Sequence, residues 1–87
     1  LRRPMAFARV LHVCPRSTFS GLESWVLEMI RYQLARGYEC AIVALARSPL
    51  AEAAKSAGAR VFEVEAEAGA VEPRKRRLAQ AVARAYD

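Results

Sequence analysis

No stretch of the chain approaches the ~20 consecutive apolar residues that a membrane-spanning helix needs, and the first residues lack the apolar core of a secretory signal. The expectation is a cytoplasmic protein. The sequence contains one histidine, His12, and two cysteines, Cys14 and Cys40. His12 has no second histidine, cysteine or carboxylate close by to complete a ligand set, so no metal site is assigned; it reads as a satisfied core histidine. Glycines number four, and one alone, Gly21, stands at a strand-to-helix junction. That excludes the Gly-x-Gly-x-x-Gly dinucleotide fingerprint. The Gly-Lys-Ser/Thr of a Walker loop is absent as well, and Val13 and Cys14 stand where a receiver domain places its aspartate.

What is present describes a folded domain. Of the 87 residues, 54% are hydrophobic and 26% charged, enough to build a core and too apolar for disorder. The length suits one small domain or a piece of a larger one. Leu1 is not an initiator whereas Met5 is suited to be one, and residues 1–6 read as an N-terminal extension outside the fold.

Hydrophobic patterning predicts β-α-β-α-β-α. A near-continuous apolar strand over residues 7–13 has the pattern of a parallel strand covered on both faces. Ser20 caps a first helix, with Glu23 three residues later completing a capping box. Leu22, Trp25, Val26, Met29, Ile30 and Leu34 share a broad apolar face that reads as core; Gln33 falls within it without an evident partner. Gly37 ends the helix, and a buried-type strand over residues 40–46 follows. Ser48, Pro49 and Gly58 bracket a second helix whose inner face is Leu50, Ala53, Ala54 and Ala57. A third strand, residues 60–66, alternates Phe62 and Val64 with Glu63 and Glu65, as an edge strand does. A linker over residues 67–72 leads through Pro73 to a third helix with Leu78, Ala81, Val82, Ala85 and Tyr86 on one face. The fold class is α/β: a partial Rossmann-like parallel sheet of three strands, lacking the fourth and later ones. Right-handed crossovers order the strands one, two, three and leave the first with an unpaired flank. In this arrangement Cys14 lies past the first strand and Cys40 at the start of its neighbour, on the order of 20 Å apart at ~3.3 Å per residue. Both are expected as free thiols.

The net charge of +5 is concentrated. Arg2 and Arg3 lie at one end, and Arg74, Lys75, Arg76 and Arg77 near the other; without these six the chain is roughly neutral. The second run is either a solvated helix face or a patch for an anionic membrane surface or anionic substrate. Nucleic acid is not expected as a partner.

The loop after the first strand lies where open α/β sheets bind ligands, at the carboxyl end of a parallel strand. It brings Arg16, the hydroxyls of Ser17, Thr18 and Ser20, and Gly21 to a helix N-terminus, a set suited to an anionic or hydroxyl-rich ligand. The other reading is that Ser20 caps the helix and its neighbours are plain loop residues. No residue qualifies as a general base or nucleophile, and none is assigned as catalytic.

Ser20-Gly21-Leu22-Glu23 and the Gly37-Tyr38-Glu39 entry into the second strand resemble the start of retaining family 4 glycosyltransferases of the GT-B fold. Those enzymes open their first helix with Gly-Gly-x-Glu and enter the second strand through a Gly-His-Glu-Val-type stretch. Ser48-Pro49-Leu50, residues 58–64 and Tyr86-Asp87 resemble later landmarks of the same family in order and spacing. The resemblance implies that residues 7–87 are the first half of an acceptor-side, N-terminal domain. The full enzyme would move a sugar from a nucleotide-sugar donor to an acceptor hydroxyl, with retention. It also implies that Gly21 faces the donor phosphates while Arg16, Ser17 and Thr18 shape the acceptor side. The glutamates that grip the donor belong to the family's C-terminal domain, so the 87 residues are expected to bind no cofactor and to be inactive alone. Their expected partner is the remainder of the enzyme, and the fragment is expected to self-associate through its open strand edge. Two alternatives stand beside this: an NADP-type Rossmann fragment in which Arg47 meets a 2′-phosphate, and a non-enzymatic interaction module using the basic third helix.

Overall fold

The computed structural model describes residues 9–66 and 73–86. The elements run β1 (Arg9–Cys14), α1 (Gly21–Ala35), β2 (Glu39–Leu45), α2 (Pro49–Ala57), β3 (Arg60–Val64) and α3 (Lys75–Ala85). The three strands form one parallel sheet in the order β1-β2-β3, the α/β arrangement expected from the alternating pattern. Arg9 pairs with Glu39 and Cys14 with Ala44 across β1 and β2, and Ala41 pairs with Arg60 across β2 and β3. Residues 7 and 8 of the expected first strand and the linker over residues 67–72 lie outside the described residues.

Local chemistry sets the helix ends. Ser48 Oγ accepts a hydrogen bond from the Ala51 N–H at 3.1 Å, a cap that stabilises a helix by about 1 kcal/mol. Pro49 fills the first helical position, where its missing N–H costs nothing. Gly58 closes α2 in the left-handed conformation, φ 104°, which a side chain would oppose. At the end of α1, Gly37 takes φ 90° while the Tyr38 N–H returns to the Gln33 carbonyl at 3.0 Å.

Strand alternation divides the core between the two faces of the sheet. On one face Cys14, Cys40, Ile42 and Ala44 meet Val26, Leu27 and Ile30 of α1 and Leu50, Ala51 and Ala54 of α2. On the other, Val43 and Val64 meet Ala81 of α3, with Leu11, Phe62, Leu78 and Val82 packed around them. Ile30, Ile42 and Leu50 are fully buried, each contributing about 1.5–3 kcal/mol of transfer free energy.

Five expectations are corrected by this packing. The first strand is not covered on both faces: Val13 is 47% exposed and Val10, Leu11 and His12 are half-buried, although its place at the end of the sheet is the expected one. The helices lie mainly over β2 and β3, so β2 holds the buried centre. Cys14 does not lie past the strand; it is the last residue of β1 and is buried. The inward face of α1 is rotated from the expected one. Glu23, Val26, Leu27 and Ile30 are buried, whereas Leu22 is 49% and Trp25 59% exposed. Tyr86 likewise turns outward from α3 and is exposed. His12 is a half-buried edge residue and not a core one, although its ring is satisfied by Gln33.

Candidate functional site

The β1–α1 loop sits at the carboxyl end of β1, and a buried carboxylate organises it. Glu23 is completely inaccessible to solvent. Its Oε1 accepts the Ser20 N–H at 2.9 Å and the Ser20 hydroxyl at 2.8 Å; its Oε2 accepts the Arg16 Nε–H. Buried charge is costly unless paired and hydrogen-bonded, and here both carboxylate oxygens are engaged. The Ser20 backbone N–H, helped by the Ser20 hydroxyl, Glu23's own backbone and Arg16, outweighs burial and holds the Glu23 carboxyl down at a pKa of about 2. Glu23 therefore stays ionised and fixes the loop. It is not free to act as a general acid.

The five expected site residues come together on this loop. Arg16 gives its Nε–H to Glu23 while its side chain stays 47% exposed. Ser17, Thr18, Ser20 and Gly21 are all exposed. The Ser20 hydroxyl, bound to Glu23, serves the capping box. A Cβ added to Gly21 would meet nothing within 4 Å, so open space lies against the helix start, where the Gly21 and Leu22 N–H groups have no preceding helical carbonyl to bond. The arrangement can accept hydrogen-bonding oxygens on its exposed side. Cys14, just behind the loop, is buried, and burial together with the Glu23 charge pushes its thiol up against the opposing effect of Arg16. Cys40 is buried and raised for the first of these reasons. The thiols are four register steps apart along neighbouring strands, Cys40 facing Val10 and Cys14 facing Ala44, and both are free.

Further along the same edge of the sheet, Arg47 adopts φ 60°, and its guanidinium spans both oxygens of Glu65 at 3.0 and 2.8 Å. The hydrogen bonds and charge of Glu65 hold the Arg47 pKa up. Its fork is thus already used by a carboxylate. On the α3 side of the sheet, Arg74, Lys75, Arg76 and Arg77 line one shallow concavity at the start of α3, and Arg77 Nη1 reaches the Glu65 carbonyl at 3.4 Å. No acidic residue stands in the first turn of that helix, so the run opposes the helix dipole instead of complementing it. A hollow lined by Arg9, Glu39, Arg60 and Tyr86 lies at the opposite, amino end of the strands, away from the loop.

The sequence reading missed two polar links, Arg16 to Glu23 and His12 to Gln33. The capping-box spacing announced Glu23, but nothing local announced its burial. Among the described residues no three histidine, cysteine or carboxylate side chains are grouped to hold a metal, and no helix is long and apolar enough to cross a membrane. The chain matches no protein-family model, no curated protein and no solved structure.

Proposed function

We propose that the chain is the acceptor-side first half of the N-terminal domain of a retaining GT-B glycosyltransferase of the cytoplasm, with its ligand loop at Arg16, Ser17, Thr18, Ser20 and Gly21. One observation supports the proposal: the helices change face of the sheet between α2 and α3, which would make the loop a topological switch point. Helices α1 and α2 cover one face of the sheet and α3 the other. A right-handed crossover from α3 would return to the free side of β1, and ligands of open α/β sheets bind where the strand order reverses. In this reading the open space at Gly21 receives the donor phosphates, and Arg16, already oriented by Glu23, presents its outer edge to the acceptor. The donor is a nucleotide sugar gripped chiefly by a second domain, and catalysis belongs to residues outside these 87. The test is to express the chain joined to the sequence that follows it in its gene and assay transfer from a panel of nucleotide sugars. Transfer with retention supports the proposal; no transfer from any donor, with the protein folded, removes it.

A second reading rests on the concavity formed by Arg74, Lys75, Arg76 and Arg77, which suits an anionic membrane surface. Salt-sensitive cosedimentation with anionic but not neutral vesicles tests it. The NADP alternative rests on Arg47, whose guanidinium is paired with Glu65.

A further inference from the structure

We infer that the free edge of β1 and the outer flank of α1 form a two-fold interface through which two copies of this chain build one continuous six-stranded sheet. It competes with the glycosyltransferase reading for one edge, since in that reading a following strand of the longer protein takes the free side of β1; a dimer through β1 therefore counts for this inference and against that one.

The edge comes first. Among the described residues β1 is hydrogen-bonded to β2 alone, so its other side presents a row of unpaired backbone groups, a template for another strand. Beside it lies an apolar stripe. Leu22, Trp25, Met29 and Tyr32 follow one another at spacings of three, four and three, which places them on one side of α1. That side is fixed by its neighbours. Leu34 approaches Gly58 at the end of α2, whereas Gln33 bonds His12 of β1. Going round the helix from Leu34 through Gln33 leads to the stripe, which is therefore turned away from α2 and out past β1. Of the charges beside it, Arg16 is paired with Glu23, Glu28 with Arg31 at 3.7 Å, and Arg36 lies over the Tyr32 ring at 5.3 Å.

Area and shape select the occupant. Val13, Leu22, Trp25 and Tyr32 are 47, 49, 59 and 59% exposed, roughly 400 Å² at the usual size of such side chains. With Met29, Val10 and the strand backbone this approaches the ~800 Å² that each partner gives to a stable interface. A lone extended peptide would cover the edge but leave the helix stripe bare. The occupant must present an unpaired strand and an apolar helix flank side by side, and a second copy does so. A two-fold axis perpendicular to the sheet sets β1 antiparallel to β1 and keeps both α1 helices on one face, stripe against stripe.

Register follows from the pleat, since residues directly opposite must point to the same face. Centring on Leu11 would set Arg9 opposite Val13. Centring on His12 sets Leu11 opposite Val13 and Val10 opposite Cys14, burying the exposed Val13 against an apolar partner. The interface is centred on His12.

The test uses the 87-residue chain. Sedimentation should show a dimer, and Val13→Lys and Trp25→Lys, both at exposed sites, should each weaken it roughly 30-fold or more while circular dichroism is unchanged. Because those substitutions also change net charge, Trp25→Gln is measured beside them and should weaken the dimer too. His12→Cys should form a symmetric intermolecular disulfide on mild oxidation, since opposed strand residues lie within the ~7 Å that a disulfide spans. A monomer at millimolar concentration, folded or not, overturns the inference. So does a dimer that all three surface variants leave intact.

Discussion

Gln33 Oε1 lies 2.9 Å from His12 Nε2 and also accepts the Cys40 thiol at 3.4 Å. One amide oxygen thus ties α1 to both β1 and β2, and the bond places the His12 ring proton on Nε2. It accounts for a polar residue among the apolar side chains of the helix: Gln33 occupies the seam where the helix passes over the edge strand. Replacing Gln33 by leucine keeps the bulk and removes the acceptor. The half-buried imidazole then loses its partner, and urea unfolding should show a loss of about 1–3 kcal/mol. His12→Leu, Gln33→Leu together should recover part of it; additive losses would show that the bond contributes nothing.

Acid should loosen the loop through Glu23. Its folded pKa of about 2 lies below the ordinary glutamate value of 4.5, so the folded state binds this proton less readily than the unfolded chain. The stabilisation is complete above about 4.5 and is lost as pH falls from there through about 2. Glu63 and Glu65, lowered chiefly by Lys55 and by Arg47 respectively, act in the same direction. Urea midpoints measured down to pH 2 should decline in this window, and Glu23→Gln should flatten the decline. An unchanged slope would show that the carboxylate is not held as described.

Gly21 separates site from scaffold. Its position leaves space for a side chain and has no left-handed backbone to be strained. Gly21→Val should therefore leave the thermal midpoint of the chain within a few degrees. If the proposed glycosyltransferase reading holds, the same change in the longer protein should lower turnover roughly tenfold or more, because it fills the space that reading gives to the donor. Full activity at normal stability would return Gly21 to the role of an ordinary helix start.

The 87 residues alone should transfer no sugar from any nucleotide sugar. Transfer requires donor and acceptor held together, and the exposed loop offers one side of that encounter with no group able to act as base or nucleophile. Radiolabelled transfer by the purified chain above the level of a Gly21→Val control would contradict this.

Sequence alone determined the features governed by short-range chemistry. Ser48, Pro49 and Gly58 delimit α2 through bonds made within a few residues. The alternation of strand and helix patterns, with right-handed crossovers, gave the order of the sheet, and the β1–α1 loop was legible as the candidate site because topology alone puts it at a carboxyl strand end. The tertiary structure decided which way each element faces. On α1 the apolar residues wrap more than one side, so periodicity could not choose between Trp25 and Leu27 as the inward residue; the positions of β2 and α2 made the choice, and Glu23 went inward with Leu27. Gln33 found its partner 21 residues away, beyond any local rule. The edge position of β1 was legible from the crossover rule, but its partial exposure was not, because burial depends on what lies beside a strand and a strand's own residues carry no record of its neighbours.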